Sequence, residues 1–238
     1  MKVGILNAIP PELSQVNWQG SPVDAYIRFF KSASGSEQIQ FEGFAVTAGN
    51  FPESPEVCDA YVITGSPKGT YEEDAWIGEL MEFIRASYAA GKKLIGICFG
   101  HQILAQALGG HSEKSEKGVG LGLKTFTVET THDKPWLNDN VDTCSLYFAH
   151  QDQVTKLPPG AELLGGNEFC PNAFYTIEDQ VLGIQGHPEF TRQIMDDILS
   201  VVREGADQAI IEEAKNSVNA GSPDGQMVAN WMVDFLNS

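Results

Sequence analysis

The chain has 238 residues, 42% of them hydrophobic, which is enough to bury a core without a metal or a disulfide to stabilise it. Asp and Glu number 32 against 15 Lys and Arg, and the resulting formal charge of −17 repels nucleic acid phosphates and anionic membrane surfaces. We therefore expect one domain over residues 1–238, with neither nucleic acid nor membrane as a partner.

The cysteines point to a reducing environment. Cys58, Cys98, Cys144 and Cys170 are widely spaced and form no Cys-x-x-Cys pair, so neither a zinc site nor a redox dithiol is indicated.

The chain starts directly with a strand-like apolar segment and has no run of about 18 apolar residues, so no signal peptide and no membrane span are expected. We expect a cytoplasmic protein that holds no metal and no cofactor.

In the first half of the chain, short apolar runs alternate with helix-like stretches. The predicted strands are Lys2–Asn7, Gln40–Thr47, Asp59–Thr64 and Lys93–Ile97. The predicted helices are Val23–Lys31, Asp74–Ala90 and His101–Leu108. Strands that alternate with helices are typical of a parallel sheet with helices on both faces.

The second half of the chain is richer in strands. Leu121–Val128 and Ser145–Gly166, the latter with the turn Pro158-Pro159-Gly160, predict an antiparallel meander that extends one edge of the sheet. Val181–Gln185 predicts one more buried strand. Three helices are then expected at Arg192–Glu204, Ala206–Asn216 and Gln226–Leu236.

The segment Gly96-Ile97-Cys98-Phe99-Gly100 has the form of a nucleophile elbow between a strand and a helix. Glycine at both ends is explained if a Cβ there would clash across the sharp turn. Cys98 then lies at a helix N-terminus, which favours the thiolate, and the Phe99 amide is a candidate oxyanion donor. A free thiol titrates near about 8.5, so the elbow still needs a base.

His187 is the best candidate for that base. Gly186-His187-Pro188-Glu189 follows the predicted strand Val181–Gln185, and sites in parallel sheets form at such strand ends. In extended backbone residues i and i+2 project to the same side. Glu189 can thus bind His187 Nδ1 and leave Nε2 for Cys98. The pattern predicts a triad of Cys98, His187 and Glu189.

The elbow, the His-Pro-Glu segment and the loop Thr64-Gly65-Ser66-Pro67 together resemble class I glutamine amidotransferases, most closely the stand-alone branch labelled GMP-synthase-like, which includes plant γ-glutamyl peptidases. The resemblance implies a flavodoxin-like three-layer α/β/α sandwich and a γ-glutamyl thioester on Cys98. It also implies that the Gly65 amide joins Phe99 in the oxyanion hole and that Gln102 helps to hold the amino-acid head of glutamine.

A second family contact falls on Ala149-His150-Gln151-Asp152. By resemblance, His150, Gln151 and Asp152 are expected to bind substrate. Many members have Ser or Asn at the first of these positions and Gly at the third, so Ala149 and Gln151 depart from the pattern. This departure leaves γ-glutamyl substrates other than glutamine open.

Three functions are therefore open. The first is hydrolysis of the γ-amide of glutamine, with ammonia passed to a separate synthetase subunit. The second is a stand-alone γ-glutamyl hydrolase or peptidase that acts on small γ-glutamyl molecules. The third is a non-catalytic binding member of the same fold.

Other conspicuous residues have simpler interpretations. His150 is a weak rival base, and His101 is expected to cap or pack. Packing also accounts for the three remaining cysteines. Gly118-Val119-Gly120-Leu121-Gly122 predicts a turn before a strand rather than a phosphate loop, and His111 and His132 are expected at the surface or at strand ends. The acidic stretch Tyr71–Trp76 fits a solvated helix start, with gating of substrate as the alternative.

Overall fold

The computed structural model describes residues 1–11, 16–129, 134–137, 141–202 and 207–238. The strands in these residues are β1 (Lys2–Leu6), β2 (Gln40–Phe44), β3 (Ala60–Ile63), β4 (Lys93–Ile97), β5 (His111–Lys114), β6 (Gly120–Val128), β7 (Thr143–His150), β8 (Asp152–Lys156), β9 (Ala161–Gly166), β10 (Phe174–Ile177) and β11 (Val181–Ile184). The α-helices are α1 (Pro22–Lys31), α2 (Ala75–Ala89), α3 (Phe99–Ala107), α4 (Arg192–Val202), α5 (Gln208–Ala220) and α6 (Gly225–Asn237).

The main sheet has the strand order β2-β1-β3-β4-β11-β10-β9-β6-β7 within the described residues. Its first five strands are all parallel. Their order along the sheet, second, first, third, fourth and last, is that of flavodoxin-like proteins. The predicted three-layer α/β/α architecture is therefore confirmed.

The remaining strands of this sheet form an antiparallel extension, as the sequence predicts, although β10 lies outside the predicted segments. Strands β10, β9, β6 and β7 pair antiparallel beyond β11. Two further details differ from the prediction. Strand β8, inside the predicted meander, leaves the main sheet and pairs with β5 in a separate two-stranded sheet. The predicted strand Gln40–Thr47 ends at Phe44 because Val46–Ala48 turns into a 3-10 helix.

Helices cover both faces of the parallel part. On one face, α1 begins with a capping box between Ser21 and Asp24 and packs together with α6 on one core cluster. On the other face, α2 and α3 pack on a second cluster. Burial of one large side chain such as Phe30, which is inaccessible to solvent, stabilises the fold by about 1.5–3 kcal/mol.

Helices α4 and α5 cover the antiparallel extension. Their buried residues, among them Ile194, Met195 and Ile211, join Leu121 and Phe190 in a third apolar cluster. The predicted boundaries Glu204 and Ala206 lie outside the described residues, and α5 continues to Ala220, beyond the predicted end. None of the helices in the described ranges has both the length and the apolar content needed to cross a bilayer.

Candidate active site

Cys98 occupies a strained turn at the end of β4. Its φ of 55° and ψ of −104° lie outside the usual regions for a residue with a side chain. A Cβ on Gly96 would collide with the Gly100 carbonyl oxygen, and a Cβ on Gly100 would collide with the Ile63 carbonyl oxygen. The steric reason predicted for both glycines is confirmed, and helix α3 starts directly after the thiol.

His187 and Glu189 follow β11 and form the hydrogen bond expected from their spacing. His187 Nδ1 lies 2.8 Å from Glu189 Oε1, and both side chains are buried. The His187 backbone N–H donates to the Tyr147 carbonyl oxygen at 2.7 Å, in an isolated antiparallel bridge to β7. The antiparallel extension thus fixes the segment that carries the imidazole.

The electrostatic environment of His187 favours its protonated form. Burial alone lowers the pKa of His187, but the charge and hydrogen bond of the adjacent Cys98, together with the Glu189 carboxylate, raise that pKa well above its ordinary value of 6.5. Cys98 and Glu189 therefore both act on this imidazole, Glu189 through its hydrogen bond to Nδ1. An imidazolium in this position stabilises a thiolate.

Phe190 is a contact of His187 that sequence reasoning missed. The two rings are stacked, with centroids 3.8 Å apart and planes 10° from parallel. Trp18 packs on Phe190 with a centroid distance of 5.9 Å. The position of Phe190 directly after Glu189 could have indicated its contact with His187. Nothing in the sequence around Trp18 indicates that Trp18 packs on Phe190.

Tyr26, on α1, was missed as well. Its hydroxyl accepts a hydrogen bond from the Gly65 N–H at 2.9 Å, so the amide predicted as an oxyanion donor is already engaged in this structure. Burial raises the pKa of Tyr26 well above 10, and the Glu189 carboxylate adds to the effect. Position 65 needs glycine, because a Cβ would lie 2.9 Å from His187 Cε1.

Phe99, the other predicted oxyanion donor, is the first residue of α3. Backbone N–H groups in the first turn of a helix have no acceptor within the helix. The Phe99 side chain is fully buried and packs against Trp76 at a centroid distance of 5.7 Å. Core packing thus holds the position of this amide beside Cys98.

The residues predicted to hold substrate lie together, but several of their polar atoms bind one another. Gln102 Nε2 donates to the Asp152 carbonyl oxygen at 2.8 Å and to Gln185 Oε1 at 3.1 Å. His150 Nδ1 lies 2.8 Å from the same carbonyl oxygen. Gln151 Nε2 donates to the Ser115 carbonyl oxygen at 3.3 Å. These contacts fix the turn between β7 and β8.

His150 is not paired with a carboxylate in the way that His187 is. Burial lowers the pKa of His150 to about 4, which keeps its imidazole neutral near pH 7. The Asp152 carboxylate instead accepts a hydrogen bond from the Tyr71 hydroxyl at 3.3 Å. Burial raises the pKa of Asp152 above its ordinary value. The geometry therefore favours His187 over His150 as a base.

A cavity of about 500 Å³ unites the site. All the predicted site residues except Phe99 line it, namely Gly65, Cys98, Gln102, His150, Gln151, Asp152, His187 and Glu189. Its walls differ in character. Lys68, Lys114 and Asp152 contribute to a polar part, and Trp18, Phe190 and Ile198 to an apolar part that belongs to the third cluster.

The acidic stretch borders this cavity, and two of its carboxylates form ion pairs with Lys68. Lys68 Nζ lies 2.9 Å from Glu72 and 3.0 Å from Asp74. Glu72 also accepts a hydrogen bond from the Gly69 N–H at 2.7 Å. Asp74 is the N-cap residue of α2, but its side chain makes no capping hydrogen bond. The stretch is a paired helix start, and Tyr71 is its exposed member in the cavity wall.

The other histidines and cysteines have structural settings. His101 is buried against Tyr175, with ring centroids 4.9 Å apart, and burial lowers the pKa of His101 to about 3. His111 is exposed, and His132 lies outside the described residues. All three remaining cysteines are free and buried, as expected for packing: Cys58, Cys144 and Cys170.

Comparison with known proteins identifies the family. The sequence model of the class I glutamine amidotransferases matches residues 26–200. The chain belongs to this family. Within the family it is similar to γ-glutamyl peptidase 2 of Arabidopsis thaliana, with 33% identity over 216 residues that cover 89% of this chain and 87% of the relative.

Two further proteins are similar to this chain. The glutamine-hydrolyzing GMP synthase of Neisseria meningitidis is 29% identical over 131 residues, which cover 55% of this chain and 24% of the relative. The crystal structure of a glutamine amidotransferase from Methylobacillus flagellatus superposes with a TM-score of 0.76 and 20% identity, covering 99% of this chain and 93% of that one. The second likeness supports the fold alone.

Proposed function

We propose that this chain hydrolyses γ-glutamyl amide bonds through a thioester on Cys98. The observation that carries the proposal is the meeting of three side chains in one cavity. The Cys98 thiol lies on the elbow, and the His187 imidazole is hydrogen-bonded to the Glu189 carboxylate and adjacent to that thiol. The Glu189 carboxylate supports the imidazole of His187 as the group that transfers protons.

In the proposed reaction the Cys98 thiolate attacks the γ-carbonyl carbon and forms a tetrahedral intermediate. The Phe99 amide stabilises its oxyanion, and removal of one such donor typically costs about a hundredfold in rate. The Gly65 amide can become a second donor only when the Tyr26 hydroxyl releases it. His187 then gives its proton to the leaving amine, and the C–N bond breaks to leave the thioester.

The second half of the reaction consumes water. His187, now neutral, takes a proton from water while the water oxygen attacks the thioester carbonyl. The C–S bond breaks, the Cys98 thiolate is regenerated and glutamate leaves. Glu189 orients the imidazole in both halves. Asp152 and Lys114, in the polar wall, have charges complementary to the α-ammonium and α-carboxylate of the γ-glutamyl group.

We propose γ-glutamyl peptides or related amides as the substrate class, because the similarity to a γ-glutamyl peptidase extends over 89% of this chain. Glutamine is the second candidate, favoured by the similarity to a glutamine-hydrolyzing GMP synthase. In that case ammonia would pass to a separate synthetase subunit. The two functions share the same covalent chemistry and differ in the leaving group.

One experiment tests the shared chemistry and separates the candidates. Purified protein is incubated with glutamine and with γ-glutamylglycine, kcat/KM is measured for each, and the acyl-enzyme is sought by mass spectrometry after rapid acid quenching. A γ-glutamyl adduct on Cys98, absent in Cys98→Ala, is expected. The alternative of a non-catalytic member gains support if neither amide turns over and a glutamine-like electrophile fails to label Cys98.

A further inference from the structure

The leaving group must lie next to His187. In amide hydrolysis the base that activates the nucleophile returns its proton to the departing nitrogen, so this nitrogen comes within about 3 Å of the imidazole. Any substituent on the nitrogen then extends along the surfaces that surround His187. In the proposed function the γ-glutamyl head is bound by Asp152 and Lys114 in the polar wall.

One face of the His187 imidazole borders an apolar surface. Phe190 covers one face of the imidazole, and Trp18 continues the aromatic surface. Beyond them, Ile9, Val16 and Ile198 line the same cavity and belong to or pack against the third apolar cluster. We call these five residues the apolar wall: Ile9, Val16, Trp18, Phe190 and Ile198.

An apolar wall does not favour ammonia as the leaving group. Ammonia is small and strongly hydrated, so it removes almost none of the apolar surface of the wall from water. A cavity of about 500 Å³ lies in the range of roughly 300–1,000 Å³ that encloses a ligand of drug size. The polar wall accounts for the γ-glutamyl head, and the apolar wall is left for the group on the other side of the scissile bond.

We infer, building on the proposed function, that the substrate is a γ-glutamyl amide whose departing amine carries an apolar group. That group lies on the apolar wall beside His187. Burial of an apolar group there changes discrimination between substrates by roughly tenfold or more.

The test compares γ-L-glutamyl benzylamide, γ-L-glutamyl methylamide and glutamine. Benzylamine and ammonia have similar basicity, so a difference in kcat/KM between their amides reports contacts of the ring rather than leaving-group chemistry. We expect kcat/KM for the benzylamide to exceed that for glutamine by at least about tenfold. The methylamide should fall between them.

Substitutions on α4 connect the preference to the wall. Ile198→Lys places a charge in the wall and should lower the ratio of kcat/KM for the benzylamide to that for glutamine by about tenfold. Val201→Lys is the matched control, because Val201 is on the same helix but is 42% exposed and does not line the cavity. If Ile198→Lys fails to fold, Ile198→Ala tests the same contact by truncation, with a smaller loss of the same sign.

The outcomes separate this inference from the proposed function. Equal kcat/KM values for the three amides, or a ratio that Ile198→Lys and Ile198→Ala leave unchanged, overturn the inference while the γ-glutamyl hydrolase survives. Failure to hydrolyse any of the amides, with no adduct on Cys98, overturns both. A tenfold preference that the Ile198 variants reduce and Val201→Lys preserves supports the apolar wall as the leaving-group site.

Discussion

Phe190 lies flat against the imidazole of His187, with ring centroids 3.8 Å apart and planes 10° from parallel. A ring face in this position attracts a positive charge, and such contacts contribute about 0.5–2 kcal/mol. The stack therefore favours the same protonated state of His187 that Cys98 and Glu189 favour. It also restricts rotation of the imidazole about its own side-chain bonds.

Replacement of Phe190 should change the titration of His187. Phe190→Leu keeps an apolar side chain but loses the ring face, so the pKa of His187 should fall, by about half to one unit for a contact of this strength. NMR of protein with labelled histidine measures this pKa directly. Phe190→Tyr retains the ring and serves as the control. An unchanged pKa in Phe190→Leu would show that the stack has only a packing role.

The proposed roles of the acid and the base predict unequal losses. His187→Ala removes the group that transfers protons and should lower kcat/KM by about 10⁴-fold or more, whereas Glu189→Gln removes only the orienting charge and should cost less. Steady-state kinetics on a γ-glutamyl amide compares the two variants with the wild type. Equal losses would indicate that Glu189 also holds the loop, and thermal unfolding of both variants tests for that effect.

The elbow geometry predicts a large effect from a single methyl group. In Gly100→Ala the added Cβ meets the Ile63 carbonyl oxygen, which belongs to the backbone of β3 and has little freedom to move. We expect a loss of about 1–3 kcal/mol in the free energy of unfolding and a larger loss in activity, because Cys98 is displaced.

Urea denaturation and kinetics on the same preparation measure the two effects of Gly100→Ala. Gly91→Ala is not a suitable control, because Gly91 has a positive φ. Gly78→Ala is preferable, since Gly78 lies within α2 and nothing within 4 Å meets its Cβ. A stable and active Gly100→Ala variant would contradict the close approach of α3 to the end of β3.

Buried neutral histidines predict a loss of stability in acid. The pKa of His101 is lowered from 6.5 to about 3 by burial, so between these pH values the unfolded chain binds more protons than the folded chain. The stabilisation is complete above about pH 6.5 and decreases as the pH falls towards 3. His150, whose pKa is about 4, acts with the same sign.

His101→Leu removes the largest of these contributions. Its free energy of unfolding should depend less steeply on pH between about 6.5 and 4 than that of the wild type. Urea titrations at several pH values measure the slope, and His111→Leu, at an exposed position, should keep the slope of the wild type. An identical slope in His101→Leu would mean that acid acts on other groups.

Patterns confined to a few neighbouring residues were readable in the sequence. The glycines at 96 and 100 indicate the turn that holds Cys98. The spacing of His187 and Glu189 indicates their hydrogen bond. Both features depend on local backbone geometry. The alternation of strands and helices likewise indicated the parallel sheet. Strands β5 and β10 were missed, and the four residues of β5, His-Ser-Glu-Lys, include no apolar side chain that could have indicated a strand.

Contacts between distant segments were decided by the folded chain. Tyr26 and Gly65 are 39 residues apart, yet their hydrogen bond engages the amide that the family resemblance assigned to the oxyanion hole. Trp18, near the N-terminus, packs on Phe190, which follows β11. Such pairs meet only because helices and strands pack in one register and orientation, and no local propensity encodes that choice. The sequence therefore indicated the thiol and its proposed base, while packing determined which side chains surround them.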